Sequence, residues 1–372
     1  MTCLTDMLVS SKLWRTFALP DSVEIYMQDR PTIKDVAKLA GVSYQTVSKV
    51  LNRQAKVRPQ TEARIREAVR QLGYQADQAA SSLRSGRSRL IGYSGPPRPS
   101  NQANPILDRF LQSMLHAAEQ AGYYLLCFPH HTGERQVEPY RQLIEARRVD
   151  GFIVSGVEYD DPRLQFLLDE GFPFIAFGRS NIGMHFSFVD VDGRAGMHAA
   201  VEHLISQGRR RIAALAWPEN SRVGQDRMAG YHAALHAAGI AFNSEWVARG
   251  EGSVAIGRQS VQTWLTLPHE RRPDAIAAFN DDMAIGAMHA IQEAGLTVGV
   301  DIAVTGFDDL PMAQYLTPPL TSVRLPVVEI GEQVIEVLVQ RLDKNISEVQ
   351  HVLIEPELVI RQSSTSGATA GN

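Results

Sequence analysis

The residues best suited to chemistry are Tyr44, Gln45 and Lys49, in the run PTIKDVAKLAGVSYQTVSKVLN from Pro31 to Asn52. A glutamine amide presents a donor and an acceptor side by side, which pair bidentately with the major-groove edge of adenine. A lysine one turn further on reaches guanine or a phosphate, and a tyrosine adds contact area. That chemistry needs a helix whose first turn faces a groove, and the neighbouring residues are suited to build one. Ser43 is a good N-cap for it, with Val47, Val50 and Leu51 as the inward face. Upstream, Thr32 followed by Asp35 resembles a capping box, Ile33, Val36, Ala37 and Leu39 or Ala40 recur at helical spacing, and Gly41 suits a left-handed helix end. Two short helices joined by a tight glycine turn make a helix-turn-helix. Thr46, Ser48 and Asn52, with Thr32 and Ser43 at the two helix starts, complete the candidate DNA contacts. Pro59 fits the first turn of a third helix, striped by Ile65, Ala68, Val69 and Leu72 and ended by Gly73. The structural alternative is a surface helical hairpin of some other domain.

Charge favours the DNA reading. Thr32 to Arg89 holds twelve Lys and Arg against four Asp and Glu, a balance of +8 in a chain of net charge -4, so the remainder carries -12. A basic module fused to an acidic body invites nucleic acid only at its N-terminal part. At 372 residues the chain fits two or three domains, and 44% hydrophobic with 21% charged residues reads as globular. There is no apolar run long enough to span a membrane, and residues 1–26 lack the apolar stretch of a secretory signal, so a cytoplasmic, nucleoid-associated protein is expected. Cys3 and Cys127 are too few for a disulfide framework or metal cluster, and Cys127 is expected to be a buried strand residue. No metal or other cofactor is expected.

Catalysis finds no support. His130 with His131 and His198 with His203 lack the H-E-x-x-H spacing, and no G-x-S-x-G elbow occurs. From Leu90 onward, short apolar runs (LIGY, YYLLCF, GFIVSG, PFIAFG, IAALAW, AIAAF, IAVTGF) alternate with helical stretches such as MLHAAEQAG, YHAALHAAG and MHAIQEAG, each ended by a glycine. This pattern predicts parallel sheets covered by helices, and its length predicts two lobes with a ligand cleft at the carboxyl ends of the strands. No G-x-G-x-x-G follows the first strand, which argues against a dinucleotide enzyme.

The runs IKDVAKLAGVSYQTVSKVLN, VRPQTEARIREAVRQLGY and AASSLRSGRSRLIG resemble the headpiece and hinge of the lactose-repressor (LacI/GalR) family of bacterial transcription regulators, and the resemblance continues to roughly Arg361. It implies an all-α helix-turn-helix headpiece (31–76), a hinge (77–89) and an α/β periplasmic-binding-protein-like core (90–363) of two doubly wound parallel-sheet lobes. The first lobe would take about 90–187 and 322–347, the second about 188–320 and 348–361, with three crossings between them. Residues 1–30 fall outside the pattern and are expected to be a disordered extension or to precede the true start near Met27. A disordered tail is expected over 364–372.

Leu83 matches the hinge leucine that wedges into the minor groove, and Asp77 departs from an asparagine common in the family. DRMAGYHAAL, FNDDMAIGAMHAI and TGFDDLP match effector-binding motifs and nominate Arg227, Asn280 with Asp281 beside it, and Asp308. Arg179, Asp160 and Trp217 follow further strands and are weaker candidates. The three motifs and Trp217 have structural alternatives. Asn280 and Asp281 could cap a helix, Asp309 could be a turn residue, Arg227 could pair with Asp226 or Glu219 on the surface, and Trp217 could pack in the core. The partners implied are operator DNA, a small-molecule effector such as a sugar, and a second copy of the chain, because SSTSGATAGN lacks the leucine heptad of family tetramers. A solute-binding protein of a sugar transporter shares the two-lobed core, but it would need export and has no use for a basic headpiece.

Overall fold

The computed structural model describes residues 31–51, 57–74, 87–95, 104–181, 185–344 and 348–365. They belong to two compact units, one ending at Ser85 and the other starting at Gly86. The N-terminal extension, Asn52, Asp77 and Leu83 lie outside the described residues.

The first unit is built from α1 (Ile33–Ala40), α2 (Tyr44–Leu51) and α3 (Pro59–Leu72). Gly41 ends α1 at φ 63 and Gly73 ends α3 at φ 59, so each glycine supplies a left-handed cap. Val36, Ala37, Ala40, Val47, Val50, Ile65 and Ala68 are buried together and form one small core. Of the two candidates near the end of α1, Ala40 turns inward and Leu39 is half exposed.

The second unit contains two six-stranded sheets. The first lobe comprises β1 (Leu90–Ser94), α4 (Pro105–Gln120), β2 (Tyr124–Cys127), α5 (Glu138–Glu145), β3 (Gly151–Ser155), α6 (Pro162–Asp169), β4 (Phe174–Phe177) and β5 (Phe188–Val191), with α11 (Val327–Lys344) and β11 (His351–Ile354) returning to it. Its strand order is β11-β5-β4-β3-β1-β2, all parallel. The second lobe comprises α7 (Gly193–Ser206), β6 (Ile212–Ala216), α8 (Arg222–Ala237), β7 (Val247–Arg249), α9 (Val254–Leu265), β8 (Ala275–Ala278), α10 (Asp281–Glu293), β9 (Ala303–Asp308), β10 (Thr321–Arg324) and β12 (Glu357–Val359). Its order is β12-β10-β9-β8-β6-β7, and only β12 runs antiparallel to its neighbour. Gly122, Gly239 and Gly295, which follow the three alanine-rich helices, all take positive φ.

Four details correct the sequence reading. Phe188–Val191 pairs with β4 and β11 in the first sheet rather than opening the second lobe. Thr321–Arg324 belongs to the second sheet, so the return to the first lobe begins after Arg324. VLIEPELVIR is two strands, split at Glu355-Pro356, with HVLI in the first sheet and ELV in the second. A proline cannot donate to a ladder, and here it marks the last of three crossings. Cys127 is exposed, because β2 is an edge strand with a partner on one side only.

The tail is also ordered further than expected. Ser363 and Ser364 are fully buried. The Ser363 hydroxyl donates to the Val304 carbonyl (2.7 Å) and accepts from the Thr321 N–H (2.8 Å), while Ser364 Oγ lies 2.7 Å from His203 Nε2 and 2.6 Å from Thr321 Oγ1. His203 is therefore a packed residue whose burial pushes its pKa down.

Candidate functional site

In the helix-turn-helix, the Asp35 carboxylate accepts from both the Thr32 N–H (2.8 Å) and the Thr32 hydroxyl (2.7 Å). These bonds hold the Asp35 carboxyl below the usual range. Ser43 Oγ accepts from the Thr46 N–H at 3.1 Å and lies 2.9 Å from Thr46 Oγ1, so the Thr46 hydroxyl helps fix the start of α2. Val47 and Val50 anchor α2 to the core, leaving Tyr44, Gln45 and Lys49 exposed along one face. Thr46 and Ser48 are half-buried at its edge. The first turn of α2 thus presents an amide and an aromatic ring, with an ammonium one turn on.

In the second unit, candidate residues come from strand ends in both lobes. Arg227 on α8 is buried, and its guanidinium lies 3.6 Å from the centroid of the Phe307 ring. Nη1 donates to the Phe279 carbonyl, Nη2 is 3.6 Å from Asp308 Oδ1, and the buried Nε has no hydrogen-bond partner among the described residues. This is the interior alternative to a surface pair with Asp226 or Glu219. Asp308 ends β9 at φ 111 and Asp309 follows at φ 48, two successive non-glycine residues in the left-handed half of backbone space. Such strain persists only where surrounding structure enforces it, and it concentrates at binding sites. Burial pushes the Asp308 carboxyl up to about 6 despite the neighbouring Arg227.

The strained turn is held from below. Asp281, fully buried at the start of α10, accepts from Ser322 Oγ (2.6 Å) and the Leu310 N–H (2.6 Å), and burial raises its pKa well above the ordinary value. Asp309 is no simple turn residue, because its carboxylate takes Arg324 Nε at 2.8 Å and Arg361 Nη2 at 2.8 Å.

Asn280 takes the structural role weighed for it. Its side-chain oxygen caps α10 by accepting from the Met283 N–H (2.9 Å), and its amide donates to the Gly252 carbonyl (3.0 Å). Trp217 packs against the second-lobe core and stands so close to Gly252 that a Cβ there would lie 2.6 Å from its ring. Asp160 is exposed and bonded to Asn181. Of the nominated residues, Arg227 and Arg179 line one cavity, whereas Trp217, Asp160, Asn280 and Asp308 do not line it.

That cavity holds about 90 Å3 between the lobes, and its walls include Arg179, Asp190, Arg222, Asp226, Arg227 and Phe307. Arg179 joins the two lobes, with Nε on Asp190 Oδ2 (2.6 Å) and Nη2 on Asp226 Oδ2 (2.5 Å). Burial raises the Asp190 carboxyl pKa, with Arg179 acting against that rise. Arg222 binds the other oxygen of Asp226 (2.6 Å), and its backbone N–H donates to Glu158 Oε2 in the first lobe (2.6 Å). Asp190, Arg222 and Glu158 escaped the sequence reading, and Asp226 entered it only as a surface partner for Arg227. The strand FVDV carried a signal for Asp190, since an acid inside an apolar strand demands a partner, but the partner became evident only in three dimensions.

Comparison with known proteins agrees with both units. Residues 32–77 match the family described as bacterial regulatory proteins, lacI family, and residues 201–364 match the periplasmic binding protein-like domain. The HTH-type transcriptional repressor PurR of Haemophilus influenzae is 31% identical over 340 residues, covering 90% of this chain and 99% of that protein. The transcriptional regulator CelR in complex with cellobiose is 30% identical with a TM-score of 0.68, covering 90% and 100%. The Lac repressor dimer bound to operator and the anti-inducer ONPF is 28% identical with a TM-score of 0.77, covering 90% and 99%. Helix-turn-helix, two-lobed core and near end-to-end relatives converge, and the chain belongs to the LacI family of bacterial transcription regulators.

Proposed function

We propose that this protein is a repressor whose hold on operator DNA is set by a small molecule, a sugar, bound between the two lobes. The observation that carries the reading is a buried Arg227 guanidinium in the wall of the inter-lobe cavity, its Nε unpartnered among the described residues and its Nη2 3.6 Å from the carboxyl of the strained Asp308. Donor and acceptor side by side suit the hydroxyls of a polyol. The cellobiose complex of CelR supports this ligand class. Arg179, which lines the same cavity, is the third candidate contact. Asn280, Trp217 and Asp160 act at one remove, through packing and loop geometry.

Two headpieces of a homodimer would place Tyr44 and Gln45 in successive major grooves of a near-palindromic operator, as the operator-bound dimer of the Lac repressor supports. An effector that prefers one arrangement of the lobes shifts operator affinity by a coupling energy of about 1–3 kcal/mol. The exported solute-binding alternative is disfavoured, since it leaves the headpiece without a role. Relatives are regulators rather than enzymes. Among the described residues, no helix is long and apolar enough to cross a membrane.

The test is thermal melting across mono- and disaccharides, purines and sugar phosphates, since a ligand at 100 times its Kd adds about 2.7 kcal/mol. A stabilising sugar should then alter operator binding, and Gln45→Ala should relax base preference at one operator position. Operator binding unchanged by Gln45→Ala and Lys49→Ala together would count against the reading.

A further inference from the structure

We propose that a chain of charged groups, Asp190–Arg179–Asp226–Arg222–Glu158, is a latch that sets the equilibrium between closed and open cleft. This regulation rests on the cleft being the effector site. Asp190 fixes Arg179 to the first lobe, and Arg222 fixes the Asp226 carboxylate to the second. Two bonds then cross the gap, Arg179 Nη2 to Asp226 Oδ2 and the Arg222 N–H to Glu158 Oε2. The Arg222 guanidinium also sits 5.7 Å from the centroid of the Tyr159 ring, a first-lobe residue.

Three properties make these contacts a switch rather than ordinary surface pairs. The side chains of Arg179, Asp190, Arg222 and Asp226 are all less than a quarter exposed, so bulk salt screens them poorly. Asp226 lies between guanidiniums from opposite lobes, so separating the lobes strips one of its two partners. The space enclosed, about 90 Å3, falls well short of the roughly 300 Å3 at which small-molecule sites begin. A ligand of that size enters only when the latch parts, and its apparent affinity is reduced by the fraction of time the latch is closed.

Full-length Glu158→Ala and Asp226→Asn variants test the latch. Glu158 is exposed and does not line the cavity, so its loss removes no residue of the cavity wall. Without any added ligand, both variants should show faster amide exchange over 155–160 and 217–226, by about five- to tenfold, and a larger radius in small-angle X-ray scattering. For any sugar that stabilises the wild type, Glu158→Ala should lower the apparent Kd by a similar factor. If both variants fold cooperatively with wild-type exchange and scattering, the latch is wrong. If the lobes loosen in both variants while no compound binds either form, the latch stands and the effector reading falls.

Discussion

Replacing Asp308 by asparagine should make the protein more stable at alkaline pH while weakening its hold on the effector. Burial holds the Asp308 carboxyl near 6, against an ordinary value of 3.8. The native state therefore favours the protonated acid more than the unfolded chain does. The stability this group contributes is complete below about pH 4 and is lost as pH rises through 6. Two pH units correspond to about 3 kcal/mol, an upper figure because the side chain keeps 23% of its exposure. Asparagine matches the neutral acid in shape and tolerates positive φ, so the strained turn survives the exchange. For a unit spanning Gly86–Asn372 the variant should melt up to about 5 °C higher than wild type at pH 8 and at nearly the same temperature at pH 4. A sugar that binds wild type at pH 8 should bind the variant at least about tenfold more weakly, because a charged hydrogen-bond acceptor has been lost. Melting curves at pH 4, 6 and 8 decide the matter. An asparagine variant that melts lower than wild type at pH 8, or a difference independent of pH, would refute the assignment of a burial-raised carboxyl at this position.

Other perturbations probe other levels. Asp281→Ala strands the Leu310 N–H and the Ser322 hydroxyl, and should destabilise the core by about 2–4 kcal/mol in urea melts. Gly230→Ala would push a Cβ to 2.2 Å from the Arg194 carbonyl oxygen, so α7 and α8 must separate, with a loss of about 1–3 kcal/mol by the same measurement. Ser43→Ala removes the N-cap of α2 and should cost about 1 kcal/mol in the first unit, seen as faster amide exchange over α1 to α3 with the core unchanged.

The helices of the first unit were legible because each carries its own boundaries. Thr32 and Asp35 start α1, Gly41 ends it, and Pro59 and Gly73 bracket α3, all through contacts made within a few residues. The seven apolar runs read as strands were legible because strands of a covered parallel sheet are apolar on both faces, six of them deeply buried and the edge strand β2 less so. The short, half-polar strands β5, β7 and β10 were missed, since sheet position rather than composition makes FVDV, VAR and TSVR extended. An amide beside a helix start serves a cap or a ligand equally well, so the sequence left both roles of Asn280 open, and the cap and the bond to the Gly252 carbonyl became visible only in three dimensions.

Local order in the sequence therefore determined the helix-turn-helix, the alternating α/β pattern and the family, because capping, turn chemistry and hydrophobic period act between near neighbours. The assignment of strands to lobes, the burial of Ser364 and the partners of Asp226 were decided by the tertiary structure alone. Arg179 and Asp226 stand 47 residues apart and meet only because two sheets face each other. A long-range ion pair leaves no periodic trace in a sequence, since any of several arginines could in principle have answered that carboxylate.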